Sequence, residues 1–312
     1  IKYGMDPVSD IGEKILKGDK IPPTLHRLLG RYGYALNRSE LSDDQIKTLE
    51  SDLTVVTTVL PAYRDFQKPK RYRLYYHNTQ QYFVPRYYGI QQFGPPMYLA
   101  MSTGRPIDVP CPQEPLPHQR EAIAKLQAIF DSSKPAGDGG VLSLPCGYGK
   151  TFCAIKTVAS FLKLAALIVV PTECLMDQWV EAIGRFTEGR ARVGILQQDR
   201  VETQGRDFVV AMLHSLCLKE YPLDTFKSFG IVIFDECHHI SSETFRNAMM
   251  RIRTRFTLGL SATPERRVCT SPPPRSSALT TSPVAAFTSG GPPRKIVPCP
   301  FTITVSSLIA GT

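Results

Sequence analysis

The chain has 312 residues, a 42% apolar share and a 21% charged share, which are values of a globular protein with room for two domains. No apolar run approaches the roughly 20 residues needed to span a bilayer; the longest, "FLKLAALIVV", is ten residues and contains Lys163. The net charge of +9 is uneven: no acidic residue follows Glu265, and Arg266, Arg267, Arg275, Arg294 and Lys295 supply five of the nine charges. The basic balance alone is therefore weak support for a nucleic-acid partner.

The sequence begins at Ile1 without a signal-peptide pattern, which reads as part of a longer frame. Eight scattered cysteines form no C-x-x-C pair, so reduced thiols in a nuclear or cytoplasmic setting are expected, not secretion or a zinc site. Three pieces follow one another: 1–110, 111–268 and 269–312.

The first piece is expected to be a small α+β accessory domain. In "SDDQIKTLESDL", Ser42 followed by Gln45 is a capping-box signature, with Ile46, Leu49 and Leu53 on one side. Between Tyr63 and Tyr98 lie 11 of the chain's 29 aromatic residues. "RYRLYYHNTQQYFVPRYY" reads as two strands around a turn near Asn78 to Gln81. Residues 61–110 carry seven Lys/Arg against two Asp. Such interleaving suits base stacking and phosphate contact, but a small β-rich domain with an aromatic core and solvated basic positions is the preferred and compatible reading.

The second piece alternates short apolar runs with helical patterns. "GVLSL", "ALIVV", "RVGILQ", "FVVAM", "GIVIF" and "FTLGL" are the strand candidates. "KTFCAIKTVASFLK" and "CLMDQWVEAIGRF" are the helix candidates. This pattern predicts an α/β domain with a parallel sheet covered by helices on both faces. The third piece is Pro-, Ser- and Thr-rich without periodicity, so disorder or an artefactual reading frame is expected for 269–312. Its ending, "FTITVSSLIAGT", has no obvious partner.

"VLSLPCGYGKTFCAI" carries the first chemical signal. Gly149, Lys150 and Thr151 end it like a phosphate-binding loop, but Leu144 stands where the usual pattern has its first glycine. A phosphate cradle needs close backbone approach and a helix N-terminus behind it. Gly147 and Gly149 supply the approach, "VLSL" the strand before, and the helix pattern from Lys150 the rest. Lys150 would meet β- and γ-phosphates, and Thr151 a magnesium ion. The second signal is "GIVIFDECHH", with Asp235 and Glu236 at the end of an apolar strand. Paired acids there are costly unless something meets them. One would hold magnesium, and the other would orient and polarise the attacking water.

Together these motifs resemble the superfamily-two DExH-box helicases. "DECH" is similar to their motif II, "SAT" at Ser261 to Thr263 to motif III, and "LPHQREAI" with Gln119 to the adenine-reading Q motif. "VVPTECLMDQW", with Pro171, Thr172 and Gln178, is similar to motif Ia; "AMLHSL" sits where motif Ib would be. "LPCGYGKT", "DECHH" and "LGLSATPER" together resemble the branch holding XPB and related helicases of large DNA viruses. The resemblance is firm over about 116–267, loose over 30–115 and absent beyond.

It implies a RecA-like P-loop lobe that binds ATP and Mg and moves on nucleic acid, with DNA favoured and RNA open, at a nuclear, cytoplasmic or viral replication site. It further implies that Ser261 and Thr263 couple the nucleotide site to the nucleic-acid groove, and that Pro171 and Thr172 meet backbone phosphates. Such motors hydrolyse ATP between two lobes, the second supplying an arginine finger. No second lobe is visible after Arg267, so this chain alone is expected to turn ATP over barely. Alternatives are a restriction-endonuclease motor subunit, a nucleic-acid-binding module that does not hydrolyse ATP, and a small-molecule P-loop kinase. Intact Lys150, Thr151, Asp235 and Glu236 speak against the second, and Gln119 with Ser261-Ala262-Thr263 against the third.

Overall fold

The computed structural model describes residues 26–30, 32–56, 71–131, 136–237, 252, 254–262 and 304–305. Two cores organise them. The smaller lies in the first piece. There a five-stranded sheet is formed from β1 (Leu28–Gly30), β2 (Gly33–Asn37), β5 (Tyr76–His77), β6 (Gln81–Val84) and β7 (Tyr98–Leu99), in the order β5-β6-β2-β1-β7. Beside it, β3 (Thr54–Val56) pairs antiparallel with β4 (Arg71–Arg73).

Helix α1 (Asp43–Asp52) starts where the capping signature placed it. The Ser42 hydroxyl accepts the Gln45 backbone N–H at 3.2 Å, and the Gln45 side-chain Oε1 accepts the Ser42 N–H at 2.9 Å. Leu49 and Leu53 from its inner side join Tyr34, Tyr75 and Tyr82 in the core. The turn between β5 and β6 is also where the sequence put it: the Asn78 side chain accepts the N–H groups of Gln80 and Gln81. Three tyrosines of the aromatic segment, Tyr75, Tyr82 and Tyr87, thus serve packing. The stretch after Pro85 is helical, α2 (Arg86–Phe93), and packs on β2.

The larger core surrounds an eight-stranded sheet. Its strands are β8 (Gly139–Ser143), β9 (Ala166–Val170), β10 (Val193–Gln197), β11 (Arg200–Val201), β12 (Phe208–Met212), β13 (Ile231–Phe234), β14 (Phe256–Ser261) and β15 (Thr304–Val305). Their order is β11-β10-β12-β9-β13-β14-β8-β15. Every pair is parallel except the β10–β11 hairpin. All six strand candidates of the second piece form strands. Every position of β9, β12, β13 and β14 is buried, so both faces are covered, as continuous apolar runs require. Thr304 and Val305 lie along the outer edge of β8, a partner the apolar ending of the sequence did not suggest.

Helices α3 (Pro117–Ile129), α4 (Lys150–Thr157), α5 (Glu173–Phe186) and α6 (Leu213–Leu218) complete this α/β, RecA-like lobe. Helix α3 packs on α4, and α4 on α5, which also rests on β9 and β12. Helix α4 is shorter than its pattern: past Thr157 the chain widens into a π turn over Val158–Leu162 and stops at Lys163, at φ 50°. The connection between the two cores is itself buried, for Ile107, Val109 and Cys111 belong to the larger core. No helix among the described residues is long and apolar enough to cross a membrane.

Candidate nucleotide site at the sheet edge

Parallel strands deliver their C-terminal ends to one edge, where open α/β sheets bind ligands. Here β8 runs into the phosphate-loop candidate, β13 into Asp235, and β14 ends at Ser261. Ser261 is level with Ser143 on β8, and Phe234, just before Asp235, is level with Gly259 on β14. The register thus places three of the motif groups on neighbouring strands of one edge. The fourth follows β9, where Pro171 and Thr172 precede α5.

The loop after β8 turns on two glycines. Gly147 has φ 81° and Gly149 φ 82°, both left-handed, a region costly for side-chain-bearing residues. A methyl on Gly147 would meet nothing within 4 Å, so the backbone there is open to an approaching ligand. A methyl on Gly149 would come within 2.4 Å of the Gln119 amide nitrogen. Gly149 caps α4, whose free N–H groups and dipole face the loop. Leu144 is buried beyond the end of β8, which is why a glycine is not needed there.

Lys150 opens α4 and folds back over the loop, its Nζ donating to Leu144 O at 3.0 Å and Pro145 O at 3.3 Å. These are neutral acceptors that an anionic oxygen would outcompete. Thr151 follows, half-buried. Gln119 is 8% exposed and braces the loop from α3: its Oε1 accepts the Leu116 N–H at 3.0 Å, and its Nε2 donates to Tyr148 O at 3.3 Å. His118 packs edge-on against the Tyr148 ring at 5.2 Å, and Tyr148 is 40% exposed.

At the end of β13, the Asp235 N–H still pairs with Val169 O at 2.9 Å, so the acid is held by the sheet. Its Oδ1 accepts the Glu236 N–H at 2.9 Å and its Oδ2 the indole N–H of Trp179 at 2.7 Å. Glu236 sits at φ 47°, a left-handed turn that throws the chain away from the strand direction. Cys237 packs beneath, its Sγ 3.0 Å from where a Gly259 Cβ would stand. Ser261 is fully buried. Thr263, expected to act with it, lies outside the described residues.

Thr172 caps α5 with its hydroxyl, which accepts the Leu175 N–H at 3.4 Å. Thr172 is exposed and Pro171 half-buried. Along α5, Met176, Trp179 and Ile183 form the buried stripe. Two contributors were not foreseen from the sequence. Trp179 ends the motif Ia-like stretch 56 positions before its acid, so only the fold reveals the contact. Tyr148 was foreseeable as the sole aromatic in the loop, but not as the anchor for Gln119.

The donor set fits a magnesium nucleotide. It offers an open glycine-rich turn, a helix N-terminus, a lysine on weak acceptors, a hydroxyl and two acids on the same sheet edge. Thr151 and Asp235 would hold the metal. Among the described residues no group of three or more His, Cys, Asp or Glu gathers into a separate metal cluster.

Residues 113–266 match the family model of the type III restriction enzyme, res subunit. The chain is 34% identical over 235 residues to L396 of Acanthamoeba polyphaga mimivirus, described as a candidate ATP-dependent RNA helicase, covering 74% of this chain and 44% of that protein. It is 37% identical over 127 residues to a DNA 3'-5' translocase, XPB2, of Sulfurisphaera tokodaii, covering 41% of this chain and 27% of that one. Among solved structures, the UvsW helicase of bacteriophage T4 aligns with a TM-score of 0.49 at 16% identity, covering 71% of this chain and 86% of that one. The chain thus spans less than half the length of these two sequence relatives.

Proposed function

We propose that the chain, whose residues 113–266 match the family model of the type III restriction enzyme res subunit, is the first motor lobe of an ATP-dependent helicase or translocase. The observation that carries this reading is the shared sheet edge. The glycine loop, Asp235 and Ser261 stand there on three neighbouring parallel strands.

In this reading Gly147, Gly149 and the N-terminus of α4 cradle the phosphates, and Lys150 leaves its carbonyls to meet them. Magnesium, when bound, neutralises charge on the phosphate oxygens, and Thr151 with Asp235 would hold it. Glu236 orients the attacking water. Gln119 spends one amide N–H on Tyr148 and keeps the second for an adenine edge. Thr172 and Pro171 present the α5 N-terminus to a nucleic-acid backbone, and Ser261 with Thr263 links the two sites. The track is DNA on the family likeness, and RNA is the competing outcome.

Hydrolysis by these 312 residues alone stays slow and gains little from nucleic acid, because catalysis in this class draws on an arginine from a second lobe. The test is labelled-ATP binding together with phosphate release, each with single-stranded DNA, duplex DNA and RNA. Magnesium-dependent binding that disappears in Lys150→Ala is expected. Absence of binding sinks the motor reading. Vigorous nucleic-acid-stimulated turnover overturns the view that one lobe is insufficient.

A second reading, the motor of a restriction endonuclease subunit, has the description of the matching family in its favour. Site-specific cleavage of duplex DNA by the full-length protein would establish it.

A further inference from the structure

Trp179 occupies an unusual place for a core residue. It is 1% exposed, in the middle of α5, yet its one polar atom is aimed at a carboxylate of the nucleotide site. The indole Nε1 donates to Asp235 Oδ2 at 2.7 Å, a short, charge-assisted bond. Indole nitrogen is a donor only, so it constrains the acid without competing for metal. Asp235 Oδ1 is meanwhile occupied by the Glu236 N–H at 2.9 Å. With both oxygens oriented, the carboxylate has one settled rotamer. The lone pairs left over are those available to a cation.

The covalent path makes this contact more than a local brace. Strand β9 leads directly into Pro171, Thr172 and α5. The Asp235 N–H is bonded back to Val169 O on that same strand at 2.9 Å. Sheet, α5 and Asp235 therefore close a ring, and Trp179 is its joint. A shift of α5 relative to β9 must either carry the carboxylate along or break the 2.7 Å bond.

We propose that Trp179 is a positioning residue, which holds the Asp235 carboxylate for magnesium and ties it to the helix whose N-terminus faces the nucleic acid. This rests on the nucleotide-site reading above. Trp179 is also the only tryptophan of the chain, so its emission reports this one contact.

The experiment uses the full 312-residue chain and a nucleotide with its own fluorescent label. Binding is measured across a magnesium titration for the unaltered chain and for Trp179→Phe, which keeps most of the apolar volume and removes the donor. The expected result is unchanged affinity without magnesium and roughly a tenfold loss of the magnesium-dependent gain, the scale of a lost hydrogen bond to a charge. A general loosening of the core would weaken both conditions alike.

A second arm keeps Trp179 and uses unlabelled, non-hydrolysable ATP analogue with magnesium. Its addition changes the tryptophan emission of the unaltered chain. In Asp235→Ala the emission is already shifted before nucleotide is added, and it no longer responds. Should Trp179→Phe fail to fold, this arm decides. Emission that is indifferent both to Asp235→Ala and to magnesium nucleotide overturns the inference, as does an unaltered magnesium dependence in Trp179→Phe. If the labelled nucleotide does not bind the unaltered chain at any magnesium concentration, the nucleotide-site reading itself falls, and this inference with it.

Discussion

The side-chain amide of Gln119 donates to the carbonyl of Tyr148 at 3.3 Å, joining the start of α3 to the middle of the glycine loop after β8. The other end of the same amide accepts the Leu116 N–H at 3.0 Å. One side chain thus fixes its own helix and the loop together. Gln119→Ala loses both bonds, each worth about 1 kcal/mol, and with them the loop's preorganisation. ATP affinity falls roughly tenfold on that scale. GTP affinity falls less, because only the loop contribution is shared by both bases. Competition of ATP and GTP for a labelled nucleotide measures this. Equal losses would show that Gln119 acts through the loop alone and reads no base.

The two loop glycines fail for different reasons when replaced. Both sit in the left-handed region, so alanine at either costs about 1–2 kcal/mol of backbone strain. At Gly147 nothing else is in the way. At Gly149 the new methyl collides with the Gln119 amide at 2.4 Å. Gly149→Ala therefore lowers the unfolding midpoint more than Gly147→Ala does. Adding Gln119→Ala removes the excess, as a double-mutant cycle would register. Additive effects would mean that the collision is relieved elsewhere.

The strands of the large sheet were legible because burial on both faces leaves continuous apolar runs, with no polar alternation to confuse them. The capping box at Ser42 was legible because both partners lie within four residues. Helix α2 was not. Its Gly89 packs against Tyr34, where a methyl would come within 2.3 Å of the ring, and that requirement is set by a strand 55 positions away. The site divides the same way. Gly149, Lys150, Thr151, Asp235 and Glu236 are contiguous in motifs. The bonds that orient them come from Gln119, 29 positions from Tyr148, and from Trp179, 56 positions from Asp235. Local spacing picks out the candidate residues. Only the sheet order brings their supports to them.

Asp207 gives the lobe an acid-sensitive joint. Burial by itself would raise its carboxyl, but hydrogen bonds from the Arg192 and Arg105 side chains and the Arg192 N–H outweigh that and hold it at about 2. The folded value lies below the unfolded one of about 3.9. The carboxylate's stabilisation is therefore complete above about pH 5 and lost as pH falls from about 4 through 2. The difference amounts to about 2.6 kcal/mol. Asp207→Asn should cost about that much at pH 7 and much less near pH 2.5. Urea midpoints at the two pH values test it; an equal loss at both would assign the effect to packing.

Arg86 bonds helix α2 to the strand that ends at Ser261. From the first turn of α2 its guanidinium donates to Arg255 O at 2.9 Å and Thr254 O at 2.8 Å, immediately before β14. Both acceptors are backbone atoms, so no substitution at 254 or 255 removes them. Lysine has neither the planar fork nor a second donor at the right angle, and it cannot span two carbonyls in this way. Arg86→Lys should then behave almost like Arg86→Ala. Each should lower stability by roughly 1.5–3 kcal/mol, the cost of leaving charge-assisted bonds unmade. Amide hydrogen exchange in Phe256–Ser261 should accelerate while β9 and β12, on the far side of β13, keep their protection. Faster exchange across the whole sheet would point to global destabilisation instead. Unchanged exchange in β14 would mean that Arg86 does not hold this strand.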